Sequence, residues 1–221
     1  MSSSPIDRIS TIDSSTCSRS PADRVAVIAC GALARDILDL AARNAWAVDV
    51  HPLPPLLHNR PSMIAVEVER TIDALEGRYD QIGIAYADCG TYGALDEVCA
   101  RRGLQRLPGL HCYDLYAGPE RIQQFFEDEP GTYLLTDFLV ASFGRTVIQE
   151  LGLDRHPELR DTYFAHYTRV VWLATRRTPE LTELAERAAA AVGLPLSVVE
   201  GRLDRLERAI TDVLAPAPLP A

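Results

Sequence analysis

The chain has 221 residues, 47% of them hydrophobic and 24% charged, which is enough apolar material for the core of one ordinary domain or two small ones. Its net charge of −9 excludes the basic face that nucleic acid requires. All 22 basic residues are arginine, so chemistry that needs a lysine Schiff base or the lysine of a Walker-type phosphate loop is excluded too.

From the N-terminus, MSSSPIDRISTIDSSTCSRSPADR lacks the apolar core of a secretory signal. It reads as a disordered tail over residues 1–22, in which Cys17 is a bystander. Residues 24–29 (RVAVIA) predict a strand ending at Cys30-Gly31. ALARDILDLAARN follows, with Leu33, Ile37, Leu40 and Ala41 at helical spacing. Residues 46–50 (WAVDV) predict a second strand, and the prolines of HPLPPLLHNRPSM predict an ordered loop without regular structure. Ser62 then caps a helix through Leu75. Residues 81–86 (QIGIAY) give a third strand, followed by ADCGTYG and the helix ALDEVCARR, inside which Cys99 reads as core packing.

A short apolar piece at 104–107 leads into PGLHCYDLYAG and an acidic helix over 119–129. GTYLLT is a strand or a tight lead-in, after which Asp137 stands as N-cap of FLVASFGRTVIQELG. Tyr163, Tyr167 and Trp172 read as core aromatics, the last inside the strand pattern TRVVWLAT. Thr178-Pro179-Glu180 opens an Ala-rich helix ending at Gly193. LSVVE, the amphipathic RLDRLERAITDVL and a frayed Pro/Ala tail over 214–221 complete the chain. Strands alternating with helices predict an α/β fold with a mostly parallel sheet and helices on both faces, in one domain over 23–213. Two similar halves, marked by the Cys-Gly units at 30 and 89, are one organisation; chance likeness of two βα turns is the other.

Five cysteines, an odd number without an export signal, argue for reduced sulfur in a cytoplasmic protein. No apolar run approaches the ~20 residues of a membrane span, so no membrane partner is expected. Cys30 and Cys89 each end an apolar run before Gly, and Cys112 follows Pro-Gly. Such strand ends bind ligands in open α/β sheets, and a helix N-terminus favours thiolate over thiol. Three converging sulfurs predict a zinc site with an open position or an iron–sulfur cluster, taking a small-molecule ligand. The bland alternative is three separate buried cysteines.

His111, next to Cys112, is the candidate fourth ligand, against a reading as a hydrogen-bonded loop histidine. His58 lies on the proline-flanked loop, and His51 is a weaker candidate. Asp88 and Asp114 either orient ligands or cap the following segments. Arg35 and Arg155 are candidates for an anionic group.

The motifs IACGAL, LHNRP, YADCGTYG, LPGLHCYDLYAG, GTYLLTDFL and LGLDRHPELRDTYFAHYTRVVWLA span about residues 24 to 200. Through them the chain resembles the bacterial and archaeal family catalogued as domain of unknown function 1638. That resemblance implies no established activity. It implies an association with corrinoid-dependent methyl transfer, hence a corrinoid protein or methyltransferase as partner and a role in one-carbon metabolism. Cys30, Cys89, His111 and Cys112 fall within the family's motifs. Two other readings remain open at this point. One is a cofactor-free enzyme with Cys30 and Cys89 as acid and base, similar in architecture to amino-acid racemases. The other is a non-catalytic partner of a corrinoid methyltransferase system.

Overall fold

The computed structural model describes residues 24–215. Cys17, the tail expected over 1–22 and most of the tail expected over 214–221 lie outside them. Strands and helices alternate, and since each helix carries the chain back across a sheet, every strand pairing is parallel.

The strands form two three-stranded sheets. The first has the order β2–β1–β3, with β1 Val25–Cys30 between β2 Val48–Leu53 and β3 Gln81–Ala85. The second has the order β4–β5–β6, with β5 Arg169–Ala174 between β4 Thr132–Thr136 and β6 Leu196–Glu200. In β1, Ala26 through Cys30 are all fully buried. Successive strand residues face opposite sides, so both faces of this sheet are covered. Helices α1 (Ala34–Arg43) and α9 (Asp204–Val213) pack on one another and against β2 and β3, while α2 (Ser62–Leu75) packs on β1 and α3 (Ala94–Arg102).

The same alternation joins the two sheets. Val171 and Leu173 of β5 and Leu134 of β4 enter the core of the first sheet. Val170, Trp172 and Ala174 point the other way, into a second core with α6 (Asp137–Phe143) and α8 (Pro179–Val192). One face of the second sheet thus closes the core of the first. Between them lie α4 (Asp114–Ala117) and α5 (Pro119–Asp128), which supply Leu115, Tyr116 and Ile122 to the shared core. A short α7 (Arg160–Tyr163) precedes β5.

Several local expectations change. Residues 51–53 are strand rather than loop, because β2 is an edge strand where Pro52 leaves no internal ladder bond unmade. The proline-rich run then makes a 3₁₀ turn over Pro55–Asn59. Ser62 begins α2 and gives it no side-chain cap, the N-cap position being Pro61. Thr136 caps α6 by accepting from the Leu139 N–H at 3.4 Å, and Asp137 is its buried first residue. The helix expected from Asp137 onward becomes π-helical over Gly144–Gln149. There Ser142 and Thr146 hydroxyls donate to the carbonyls of Phe138 and Ser142 and compete with the regular ladder. Trp172 is core, whereas Tyr163 and Tyr167 are exposed. The Ala-rich helix is as expected, with Thr178 accepting from the Leu181 N–H and Gly193 left-handed at its end.

Candidate metal centre

The carboxyl ends of β1 and β3 gather the sulfur atoms. Cys30 is the last residue of β1. Gly31 follows because nothing larger fits: a Cβ there would lie 2.3 Å from the Leu53 carbonyl oxygen and 2.9 Å from Pro55 Cδ. That close approach brings the 3₁₀ turn over the strand end, so that His58 Nε2 lies 3.8 Å from Cys30 Sγ. His58 Nδ1 is 2.9 Å from the Pro55 carbonyl oxygen. A carbonyl only accepts, so Nδ1 carries a proton and Nε2 is the ring nitrogen that faces the sulfur.

The loop after β3 runs beside the segment before α4. The Asp88 N–H donates to the Gly109 carbonyl and the Cys89 N–H to the Leu110 carbonyl, at 3.1 and 2.8 Å. Cys89 sits in the left-handed region at φ 50°. This pairing sets Cys89 Sγ 3.3 Å from Cys112 Sγ. The Asp88 carboxylate accepts from the N–H groups of Gly90, Tyr92 and Gly93 and from the Thr91 hydroxyl. Asp114 accepts from the N–H groups of Leu110 and His111. Both aspartates are therefore turn-holding groups, which is close to the capping reading.

One ligand atom each from Cys30, His58 and Cys112 lie within 4.8 Å of one another. Cys30 is buried, while His58 and Cys112 are half-buried. Cys89 stands outside this trio, against Cys112. His111, put forward by its adjacency to Cys112, has an exposed side chain and is not in the group. His58 is the member that the sequence ranked too low. Its signal was a histidine three residues after a proline in a segment that must cross a glycine-marked strand end.

The remaining candidates are held elsewhere. His51 bonds to Tyr79 at 3.1 Å, and Arg35 and Arg155 pair on the surface with Asp39 and Asp154. Cys99 is buried inside α3, where burial first of all pushes its thiol up to about 11. Cys30 ends β1 and Cys89 follows β3, its neighbour in the same sheet. A cavity of about 490 Å³ opens at the other end of β3, near Tyr79, Gln81 and Leu104, away from the sulfurs.

The electrostatics oppose the expectation of free thiolates. The Cys89 thiol is pushed up by Cys112 and then by burial, with His58 opposing. Cys112 is likewise pushed up, by Cys30 first. Helix α3 begins only at Ala94, so Cys89 does not sit in its first turn. Burial pulls His58 down, but Cys112, Cys89 and the Pro55 carbonyl outweigh it and hold the imidazole at about 10. Cys89, Cys112 and His58 are therefore held in their protonated forms, and binding of a cation would release protons from its ligands. Above it Tyr86 is fully buried, and its hydroxyl has no hydrogen-bond partner among the described residues. An unpaired buried hydroxyl costs about 1–3 kcal/mol.

A family model described as "Protein of unknown function (DUF1638)" matches residues 52–210. The chain belongs to the DUF1638 family. The match covers His58, Cys89 and Cys112 and begins after Cys30, a shorter span than the motifs alone suggested. No curated protein and no solved structure matches the chain. Among the described residues no helix is long and apolar enough to cross a membrane. What this DUF1638 protein presents is a Cys/His/Cys group that could hold a metal, at the strand ends of a parallel sheet.

Proposed function

We propose that this DUF1638 protein binds a single soft metal ion, best matched by zinc, through Cys30, His58 and Cys112, with Cys89 beside the fourth position. His58 takes the role for which the sequence put forward His111. The observation that carries the reading is the mutual approach of the three ligand atoms within 4.8 Å, with Nε2 the nitrogen of His58 that faces the Cys30 sulfur.

Zn–S of ~2.3 Å and Zn–N of ~2.0–2.1 Å in a tetrahedron require donor separations of about 3.5–3.8 Å. The Cys30–His58 separation of 3.8 Å and the Cys89–Cys112 separation of 3.3 Å fall close to that range. A four-iron cluster sets each cysteine on a different iron and so spreads the sulfurs further. Of the two cofactors, the distances favour one ion. Thiolate and imidazole ligands suit zinc and do not suit magnesium.

When bound, such an ion would act as a Lewis acid with its fourth position open to water or a small ligand, or be closed off by Cys89. The chain's own contribution is to fix the ligands. Gly31 lets the turn approach, the Pro55 carbonyl sets the imidazole tautomer, and the paired loops carry Cys89 and Cys112. The link to corrinoid-dependent methyl transfer belongs to this proposal through the family resemblance, since metal-bound thiolate chemistry suits the handling of methyl groups. Co-purification with a corrinoid protein or methyltransferase tests that part, and failure with every such component removes it.

Metal analysis of anaerobically purified protein tests the centre itself. One zinc per chain is expected, lost in Cys30→Ser, Cys112→Ser and His58→Ala and kept in His111→Ala. A folded wild-type protein without metal would refute the proposal.

A further inference from the structure

Tyr86 follows β3 directly and is wholly buried. Its ring stacks on His58, with centroids 6.2 Å apart and planes at 25°. Two buried polar side-chain atoms among the described residues lack a hydrogen-bond partner, Tyr86 Oη and Asp36 Oδ1. The second is compensated, since Asp36 Oδ1 forms an ion pair with Arg176 at 3.0 Å. Tyr86 Oη is not: the polar group that bears on it is the Cys30 sulfur, which as a thiol is a weak acceptor and leaves the buried donor poorly satisfied in the metal-free protein.

The surroundings indicate what would accept. Apart from burial, the groups that bear on the phenol are the sulfurs of Cys30, Cys112 and Cys89, with Cys30 foremost. A thiol sulfur is a weak acceptor, whereas a thiolate carries the charge that makes a hydrogen bond to it strong. A phenol carries its proton at neutral pH, so Tyr86 is a donor.

We propose that Tyr86 is the outer hydrogen-bond donor of the metal centre, giving its O–H to the Cys30 sulfur when that sulfur is a metal-bound thiolate. The proposal rests on the metal reading above. On binding, the Cys30 S–H proton leaves to solvent, the sulfur's electron pair goes to the ion, and the Tyr86 hydrogen bond offsets the remaining charge. Tyr86 is thus a positioning residue: it acts on the ion through Cys30.

The test compares wild type with Tyr86→Phe in two measurements. Co(II) and Zn(II) titrations against a competing chelator give affinity and, for cobalt, the thiolate charge-transfer bands. Thermal unfolding of the metal-free forms gives the midpoint. Tyr86→Phe is expected to weaken metal binding about 10–100-fold, the range for loss of an outer-shell partner, and to shift the charge-transfer band. It should leave the metal-free midpoint unchanged or higher. Opposite signs on the two measurements are the signature, which a merely structural tyrosine would not give. Tyr113→Phe is the control, because the Tyr113 hydroxyl already donates to the Leu134 carbonyl at 3.4 Å. Its loss should lower the metal-free midpoint and leave the band in place. Binding within twofold of wild type with an unshifted band, or a lower metal-free midpoint for Tyr86→Phe, overturns the inference alone. A wild-type chain that takes up neither metal overturns the centre and the inference together.

Discussion

At the residue scale the centre depends on one missing side chain. Cys30 and His58 meet because Gly31 lets the backbone of Leu53 and Pro55 pass where a Cβ would stand. The obstructing atom nearest that position is a carbonyl oxygen at 2.3 Å, which no rotamer change can move. Gly31→Ala is therefore expected to cost about 1–3 kcal/mol, the usual scale for overpacking, and to lower metal uptake by pushing His58 off the strand end. Urea unfolding and metal analysis measure the two effects. Gly144→Ala is the counterpart: it lies at φ −55° with nothing within 4 Å of the added Cβ. A helical glycine so placed should gain about 0.5–1 kcal/mol on replacement. If both variants unfold at the same urea concentration, the close-approach argument fails.

At the element scale the site is two loops held side by side, and Asp88 organises one of them. Its carboxylate gathers three backbone N–H groups and the Thr91 hydroxyl. Cys89 and Tyr92 within that loop are left-handed, at φ 50° and 51°, a conformation that ordinary residues keep only when their surroundings impose it. Asp88→Ala is expected to lower stability by about 2 kcal/mol, the upper end for a lost cap. It should also loosen Cys89 from Cys112, read as weaker Co(II) binding in the same titration; unchanged binding would separate the loop from the site. The strands and the two Cys-Gly turns were legible in the sequence because apolar runs ending in glycine are local signals. Cys112 was legible from Pro-Gly for the same reason. His58 was not, because its place depends on the 3₁₀ turn folding back across Gly31, a contact between segments about 27 residues apart. His111 attracted notice by adjacency, yet a turn sends neighbouring side chains in different directions. Asp137 was read as a cap because its role is made by Trp172 and Thr175, which reach it from the next strand.

At the scale of the whole molecule a partly buried polar seam ties the two sheets together. Asp137, at the end of β4, accepts from Trp172 Nε1 at 2.8 Å, the Thr175 hydroxyl at 2.7 Å and the Arg176 N–H at 2.9 Å. The Arg176 side chain then reaches across to α1, pairing with Asp36 at 3.0 Å and Asp39 at 2.7 Å. Tyr116 of α4 donates to Asp36 at 2.6 Å. Burial pushes the Asp36 carboxyl above its ordinary 3.8, while Tyr116 and then Arg176 pull it down and the charges of Asp137 and Asp39 push it up. Because its folded value is raised, the native state binds this proton more tightly than the unfolded chain does. The resulting stabilisation is complete below the unfolded pKa and is lost as pH rises through the folded one. Asp36→Asn cannot titrate, so its stability relative to wild type should improve as pH rises from about 3.5 to about 7. It keeps an acceptor for Tyr116, and Arg176 retains Asp39 and Asp137. Urea unfolding of both proteins along that range reads the difference directly. A difference moving the other way would mean that Arg176 outweighs burial, and that the seam holds Asp36 as a stabilising anion between the sheets.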